Sequence, residues 1–300
     1  MSAAGGVTCK INERVVTRTT ECERASLRVN VLRNGKQVGY ATFTVSHEMT
    51  LNSGSRSWSE KFNLSKATLV GTASGIKTSV TASCGGTCKA STSFPAGHSL
   101  GSPASGSVKY TDSVGKKHKN LTHTTYRYSF LKAGYTPGST SYQSVNFRCD
   151  DAFWAKSGKS RTKAPGCVFP TAPTAISMAG LPGISKGIRA LRSRGGHLGD
   201  PAAGKPLHMI TDEATATKNR TAVCGGKKPP NWGSNLPPLD RPSCDEYPFA
   251  TTSEGGTHVA ANQRTITWVT VRENNTQGGR ITAFKKKYRV MDTDPFYVTA

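Results

Sequence analysis

Two hydrophobic periods divide the chain. Over its first half, apolar and polar residues alternate in short runs separated by Ser, Thr and Gly, the period-2 signature of half-buried strands. Residues 27–32 and 38–45 alternate on either side of Arg33-Asn34-Gly35-Lys36, and Asn-Gly is a strong hairpin signal because both turn positions need positive φ. Further strand-like runs lie at 58–64, 67–73, 76–82, 108–111 and 122–131, and Val145 and Phe147 close the series at Cys149. With no long helical period among them, residues 7–150 are predicted to form an all-β accessory domain, an antiparallel sandwich of immunoglobulin-like type.

The second period is helical. Residues 151–182 turn to Lys, Gly, Pro and Ala and read as a linker, its first part lying inside the loop between Cys149 and Cys167. Ile184, Ile188 and Leu191 then fall on one side of a helix over about 184–193, with Lys186, Arg189, Arg192 and Arg194 mostly on the other. A second helix is expected to open at Thr211 as N-cap, with Asp212 and Glu213 in its first turn, and to end at Cys224-Gly225. After a Pro-rich loop over 227–242, residues 264–271 (RTITWVTV) suit a buried strand. Glu273, Asn274, Asn275 and Thr276 read as a turn whose side chains cap a last helix carrying Ile281, Phe284 and Tyr288. Residues 183–300 therefore predict a second, small α+β domain.

Charge narrows the choice of partner. The chain holds 40 Lys and Arg against 18 Asp and Glu, a net charge of +22, and the excess runs through both halves. Such a field favours a polyanion: nucleic acid, an anionic cell-wall polymer or an anionic surface. No run of about 18 apolar residues is present, so no membrane span is expected. Eight cysteines fall into close couples, Cys9 with Cys22, Cys84 with Cys88, Cys149 with Cys167 and Cys224 with Cys244. That pattern predicts four disulfides and an oxidising compartment. The opening MSAAGGVTC lacks a charged region followed by an apolar core; a leader for export is expected to lie ahead of Met1.

The chemistry concentrates at 244–256, CDEYPFATTSEGG, where Asp245, Glu246 and Glu254 stand within ten residues of an acid-poor chain. Crowded carboxylates need a cation, a proton or basic neighbours, so the cluster is a metal site, a proton-transfer site or a set of salt bridges. The amino-terminal half offers no such constellation. His47, His98, His118 and His123 are scattered, Lys116-Lys117-His118-Lys119 reads as a basic loop tip, and Tyr126, Tyr128 and Tyr135 read as packing residues rather than a base-stacking platform.

CDEYPFATTSEGG, followed by ENNTQGG at 273–279, Ala283-Phe284 and the closing DPFYV at 294–298, resembles the NucA/NucB deoxyribonuclease domain, in particular its secreted actinobacterial versions, over roughly the last third of the chain. The resemblance implies a small metal-dependent nuclease related to the ββα-metal group, with one divalent ion, Mg2+ or Mn2+, and an acid rather than a histidine as general base. Carried over, Asp245 is the base, Glu246 and Glu254 are acidic catalytic residues, and Glu254 and Asn274 are metal ligands. Arg220 and Arg280 are offered as phosphate contacts, and His258 is the nearest histidine that competes for the base role. Ser253 stands where some members carry a further acid, and Glu273 where many carry Asp.

These readings combine into a secreted, extracellular, metal-dependent endonuclease that hydrolyses DNA phosphodiester bonds with little sequence specificity. The alternative is a non-catalytic protein that binds nucleic acid or cell-wall polymer through its β domain, its acids being structural. A third reading keeps the nuclease chemistry in an antibacterial toxin, for which an immunity or inhibitor protein would be the partner.

Overall fold

The computed structural model describes residues 7–155, 157–233 and 235–300; the first six residues of the stretch read for a leader lie outside them. The architecture is mostly antiparallel β-sheet with few helices. The chain divides into two compact units, one through Phe169 and one from Pro170.

In the first unit the alternation becomes strand burial directly. Ser57–Leu64 exposes and buries successive residues along its whole length. Thr20–Arg33 and Lys36–Thr50 pair as a hairpin across Asn34 and Gly35, whose φ angles of 49° and 74° are the positive values that the turn requires. These strands belong to a seven-stranded sheet, and a four-stranded sheet is built on Thr124–Leu131 and Lys77–Cys84. Two edge strands escape the hydrophobic pattern, Cys88–Ser93 (CKASTS) and Gly138–Gln143 (GSTSYQ). They are rich in Ser and Thr, so backbone pairing rather than an apolar period holds them in place. Part of the stretch expected as a linker is also strand: Gly166–Val168 pairs with Phe147–Asp150, and Thr174–Ser177 enters a sheet of the second unit.

A polar knot joins the two large sheets. Glu60, whose side chain is fully buried, sits with one oxygen 2.5 Å from His47 Nδ1 and accepts hydrogen bonds on the other from the hydroxyls of Tyr110 and Tyr126, both at 2.6 Å. His47 Nε2 lies 2.7 Å from the Tyr128 hydroxyl. His47 and the tyrosines at 126 and 128 are thus packing and hydrogen-bonding residues, as the sequence indicated. All eight cysteines pair in the expected couples.

The second unit is labelled here in chain order: β1 (Thr174–Ser177), α1 (Pro182–Ser193), β2 (Leu207–His208), α2 (Glu213–Cys224), β3 (Pro242–Tyr247), β4 (Thr265–Thr270), α3 (Val271–Tyr288) and β5 (Pro295–Thr299). Strand β5 runs parallel to β1 and antiparallel to β2, and β3 and β4 form a separate antiparallel pair. Ile184, Ile188 and Leu191 of α1 enter a core with Tyr247, Phe249, Phe284 and Phe296, as the helical spacing predicts. Glycine lets α1 lie close to β4, since a Cβ at Gly187 would collide with the side chain of Thr267 and one at Gly183 would come within 2.8 Å of Val269.

Two helix starts differ from expectation. Asp212, not Thr211, caps α2: its side chain accepts from Thr215 N at 2.8 Å, while Thr211 N is held by Asp292. The last helix has no turn before it. Strand β4 ends at Thr270, whose hydroxyl accepts from Glu273 N, and α3 begins at once. Glu273, Asn274, Asn275 and Thr276 are therefore helical residues, not a capping turn.

The polar knot supplies the first prediction. Glu60→Leu removes the acceptor that satisfies His47, Tyr110 and Tyr126 in a dry interior, and is expected to cost about 3–5 kcal/mol in urea titration; a change below about 1 kcal/mol would show that the knot holds nothing together.

Candidate active site

The acid-rich stretch is a strand, and this reorganises the cluster. Residues 242–247 are β3, so consecutive side chains leave opposite faces of the β3–β4 pair. Asp245 shares its face with Ser243 and with their cross-strand partners Thr267 and Val269. Glu246 shares the other face with Cys244, Ile266 and Trp268. Three acids that look like one cluster in the sequence are separated by pleat and chain reversal.

The Asp245 face is covered by α1 and by the start of α3. Asn274, in the first turn of α3, donates from Nδ2 to Ser243 Oγ at 2.8 Å and to the Cys244 carbonyl at 3.4 Å. These bonds orient the amide, and its Oδ1 takes no hydrogen bond among the described residues. Glu273 accepts from Ile184 N at 3.0 Å, capping the first turn of α1, and its second oxygen takes no hydrogen bond among the described residues. One helical turn on, Gln277 is buried beside Asp245. Asp245 itself is 4% exposed. Burial pushes its carboxyl up to about 8; Glu246 and Glu273 add to the rise, whereas the Gln277 amide and the Arg220 guanidinium oppose it.

The Glu246 face belongs to α2. Arg220 Nε donates to Glu246 Oε1 at 3.1 Å, and the Cys224–Cys244 disulfide ties the end of α2 to β3 beside it. Arg220 is 61% exposed, so it neutralises Glu246 while its outer edge stays open to solvent. Glu254 lies beyond β3 and meets a residue that the sequence did not single out. Its two oxygens accept from His208 N at 3.0 Å and lie 2.7 Å from His208 Nδ1. The histidine that Glu254 meets is His208, on β2. Arg280 donates to the carbonyls of Ser177 and Ala179, which ties α3 to the end of β1.

Glu273 and Gln277 could have been found from their spacing of four, which places two side chains on one helix face, had α3 been started at the end of β4. His208 had no such signal, because β2 is two residues long and its pairing with β5 is remote in sequence.

The donor chemistry beside Asp245 suits a hard divalent cation. The Asp245 and Glu273 carboxyls and the Asn274 amide stand at one strand face, where burial first, and the charges of Glu246 and Glu273 after it, raise the proton affinity of Asp245. Among the described residues, no three His, Cys, Asp or Glu side chains converge to hold an ion by themselves. The Asn274 oxygen and water would have to complete the shell, an arrangement that magnesium favours.

Residues 200–299, about the last third of the chain, match the family model described as Deoxyribonuclease NucA/NucB. The carboxy-terminal part of the chain thus carries a NucA/NucB deoxyribonuclease domain. No curated protein and no solved structure matches the chain.

Burial of Asp245 has a consequence for stability. The unfolded carboxyl ionises near 3.8 and the folded one near 8, so between those values the folded state holds a proton that the unfolded state has released. Stability is fully present below the lower value and falls as pH rises through the window. In EDTA, wild-type stability is expected to drop from pH 5 to pH 8 more steeply than that of Asp245→Asn, with the variant ahead by about 2 kcal/mol at pH 8.5. Parallel pH profiles in urea titrations would rule out a proton on Asp245.

Proposed function

We propose that the carboxy-terminal domain is a secreted, metal-dependent endonuclease that hydrolyses DNA phosphodiester bonds with little sequence specificity. The observation that carries this reading is the placement of Asp245 within a deoxyribonuclease domain: a buried acid on β3 facing the first turn of α3, where Glu273 and Asn274 offer oxygens. The order of β3, β4 and α3 supports a ββα-metal-like organisation of the site. In the other unit, two facing antiparallel sheets support an immunoglobulin-like sandwich that contacts substrate flanks or cell-wall polymer.

In this account Asp245 takes the proton from the attacking water. Its raised affinity for protons suits a general base once a cation sits beside it, because the cation's charge brings the carboxyl back toward ionisation. Glu273 and Asn274 would hold the ion, whose chemistry is to polarise the scissile phosphate and offset charge on the leaving oxygen. Glu254 orients His208 on β2, and the exposed edge of Arg220 meets phosphate. The +22 charge draws DNA to the molecule by releasing condensed counterions. Four disulfides, with no helix among the described residues long and apolar enough to cross a membrane, support an oxidising, extracellular setting.

The test is plasmid nicking with Mg2+ or Mn2+. Asp245→Ala is expected to lose at least about 100-fold in rate with its melting temperature unchanged or raised, EDTA to abolish wild-type cleavage, and added salt to weaken DNA binding steeply. Full cleavage in EDTA would remove the metal from the account. Binding without nicking under every metal would favour the polyanion-binding alternative.

A further inference from the structure

The face of β3 opposite Asp245 carries a feature that hydrolysis does not need. Between α2, β4 and the segment after β3 lies a cavity of about 230 Å³, below the roughly 300–1,000 Å³ that drug-sized ligands occupy and of a size for one flat heterocycle. Val223, Pro248 and Ile266 give it apolar walls, Lys227 and Arg264 line it as cations, and Glu246 is its carboxylate. Glu246 is 4% exposed, and among the described residues only one of its oxygens has a donor. Oε1 accepts from Arg220, whereas Oε2 meets Cys224 Sγ at 3.7 Å, a disulfide sulfur with no proton to give. A buried carboxylate oxygen without a donor, lining an apolar-walled cavity, calls for a ligand that brings N–H groups.

We propose that this cavity is a nucleobase subsite that takes one unstacked base of the DNA strand being cut, with guanine preferred. The apolar walls accept the faces of a base, and Lys227 and Arg264 meet the phosphates on either side of it. Glu246 reads the Watson–Crick edge. Guanine presents N1–H and N2–H side by side and pairs with both carboxylate oxygens. Cytosine and adenine each offer one amino group beside a ring-nitrogen acceptor, and thymine sets its single N–H between two carbonyls that a carboxylate repels. The inference deepens the nuclease reading and rests on it; a preference at one base leaves the enzyme without a recognition sequence. Adjacent acids on one strand would then divide the labour, Asp245 working on water and Glu246 seating the nucleotide beside the cut.

The experiment is sequencing of cut ends after brief digestion of randomised DNA with Mn2+. Guanine is expected to exceed thymine about tenfold at one fixed position relative to the cut. Val223→Trp and Ile266→Trp, two separate ways of filling the cavity, should bring that ratio close to one while total cleavage and melting temperature stay near wild type. Flat base frequencies in the wild type, or a ratio that a folded filling variant leaves untouched, overturn the subsite. If the wild type cuts no DNA with Mg2+ or Mn2+, the nuclease reading fails instead. A titration with 5′-dGMP and with TMP, compared between wild type and Val223→Trp, then decides the cavity alone: selective dGMP binding lost in the variant sustains it, and absence of binding ends it.

Discussion

The candidate site depends on a carboxyl group kept out of water. Asp245 lies beneath α1 and the start of α3, with Glu273 near enough on one side and Glu246 on the other to raise its proton affinity. Holding an acid in such a place costs free energy that a fold keeps only where neighbouring groups determine the site. Here the neighbours are tightly determined. Gly183 and Gly187 let α1 press on β4, Glu273 caps α1 from α3, and Thr270 starts α3 without an intervening loop. The Glu273 carboxylate thus ties α1 to α3 over one strand pair, and it stands with the Asn274 amide beside Asp245.

The pleat of β3 governs the rest. Because neighbouring residues leave opposite faces, the Asp-Glu pair cannot act as one dyad on one ion. Its members face different helices and different chemistry: α3, with amide and carboxyl oxygens, for Asp245, and α2, with a guanidinium and a disulfide, for Glu246. The Cys224–Cys244 bridge fixes the second face covalently next to the first acid, so little conformational freedom remains in β3 at that point.

Much of this was legible in the residues, and the parts that were not share a cause. The Asn34-Gly35 hairpin, the buried stripe of α1 and the four cysteine couples follow from local rules: turn stereochemistry, helical period and spacing along the chain. The edge strands at 88–93 and 138–143 carry Ser and Thr on both faces and exist because a neighbour offers backbone partners. At the site, 242–247 is a strand because it pairs with 265–270, a partner remote from the local composition. Glu273 reads as a cap for its own helix and in fact caps another, and His208 reaches Glu254 only through the folding back of a two-residue strand. Residue types were visible in the sequence; the face on which each one stands was set by pairing across distances that no local pattern encodes.

The most direct measurement of the central claim is an anomalous difference map from crystals of the protein soaked in Mn2+. The account predicts a peak bonded to oxygens of Glu273 and Asn274, beside Asp245, between β3 and the first turn of α3. A peak at His208 and Glu254 instead, or none beside Asp245 in crystals of protein that cuts DNA in the same manganese solution, would contradict it.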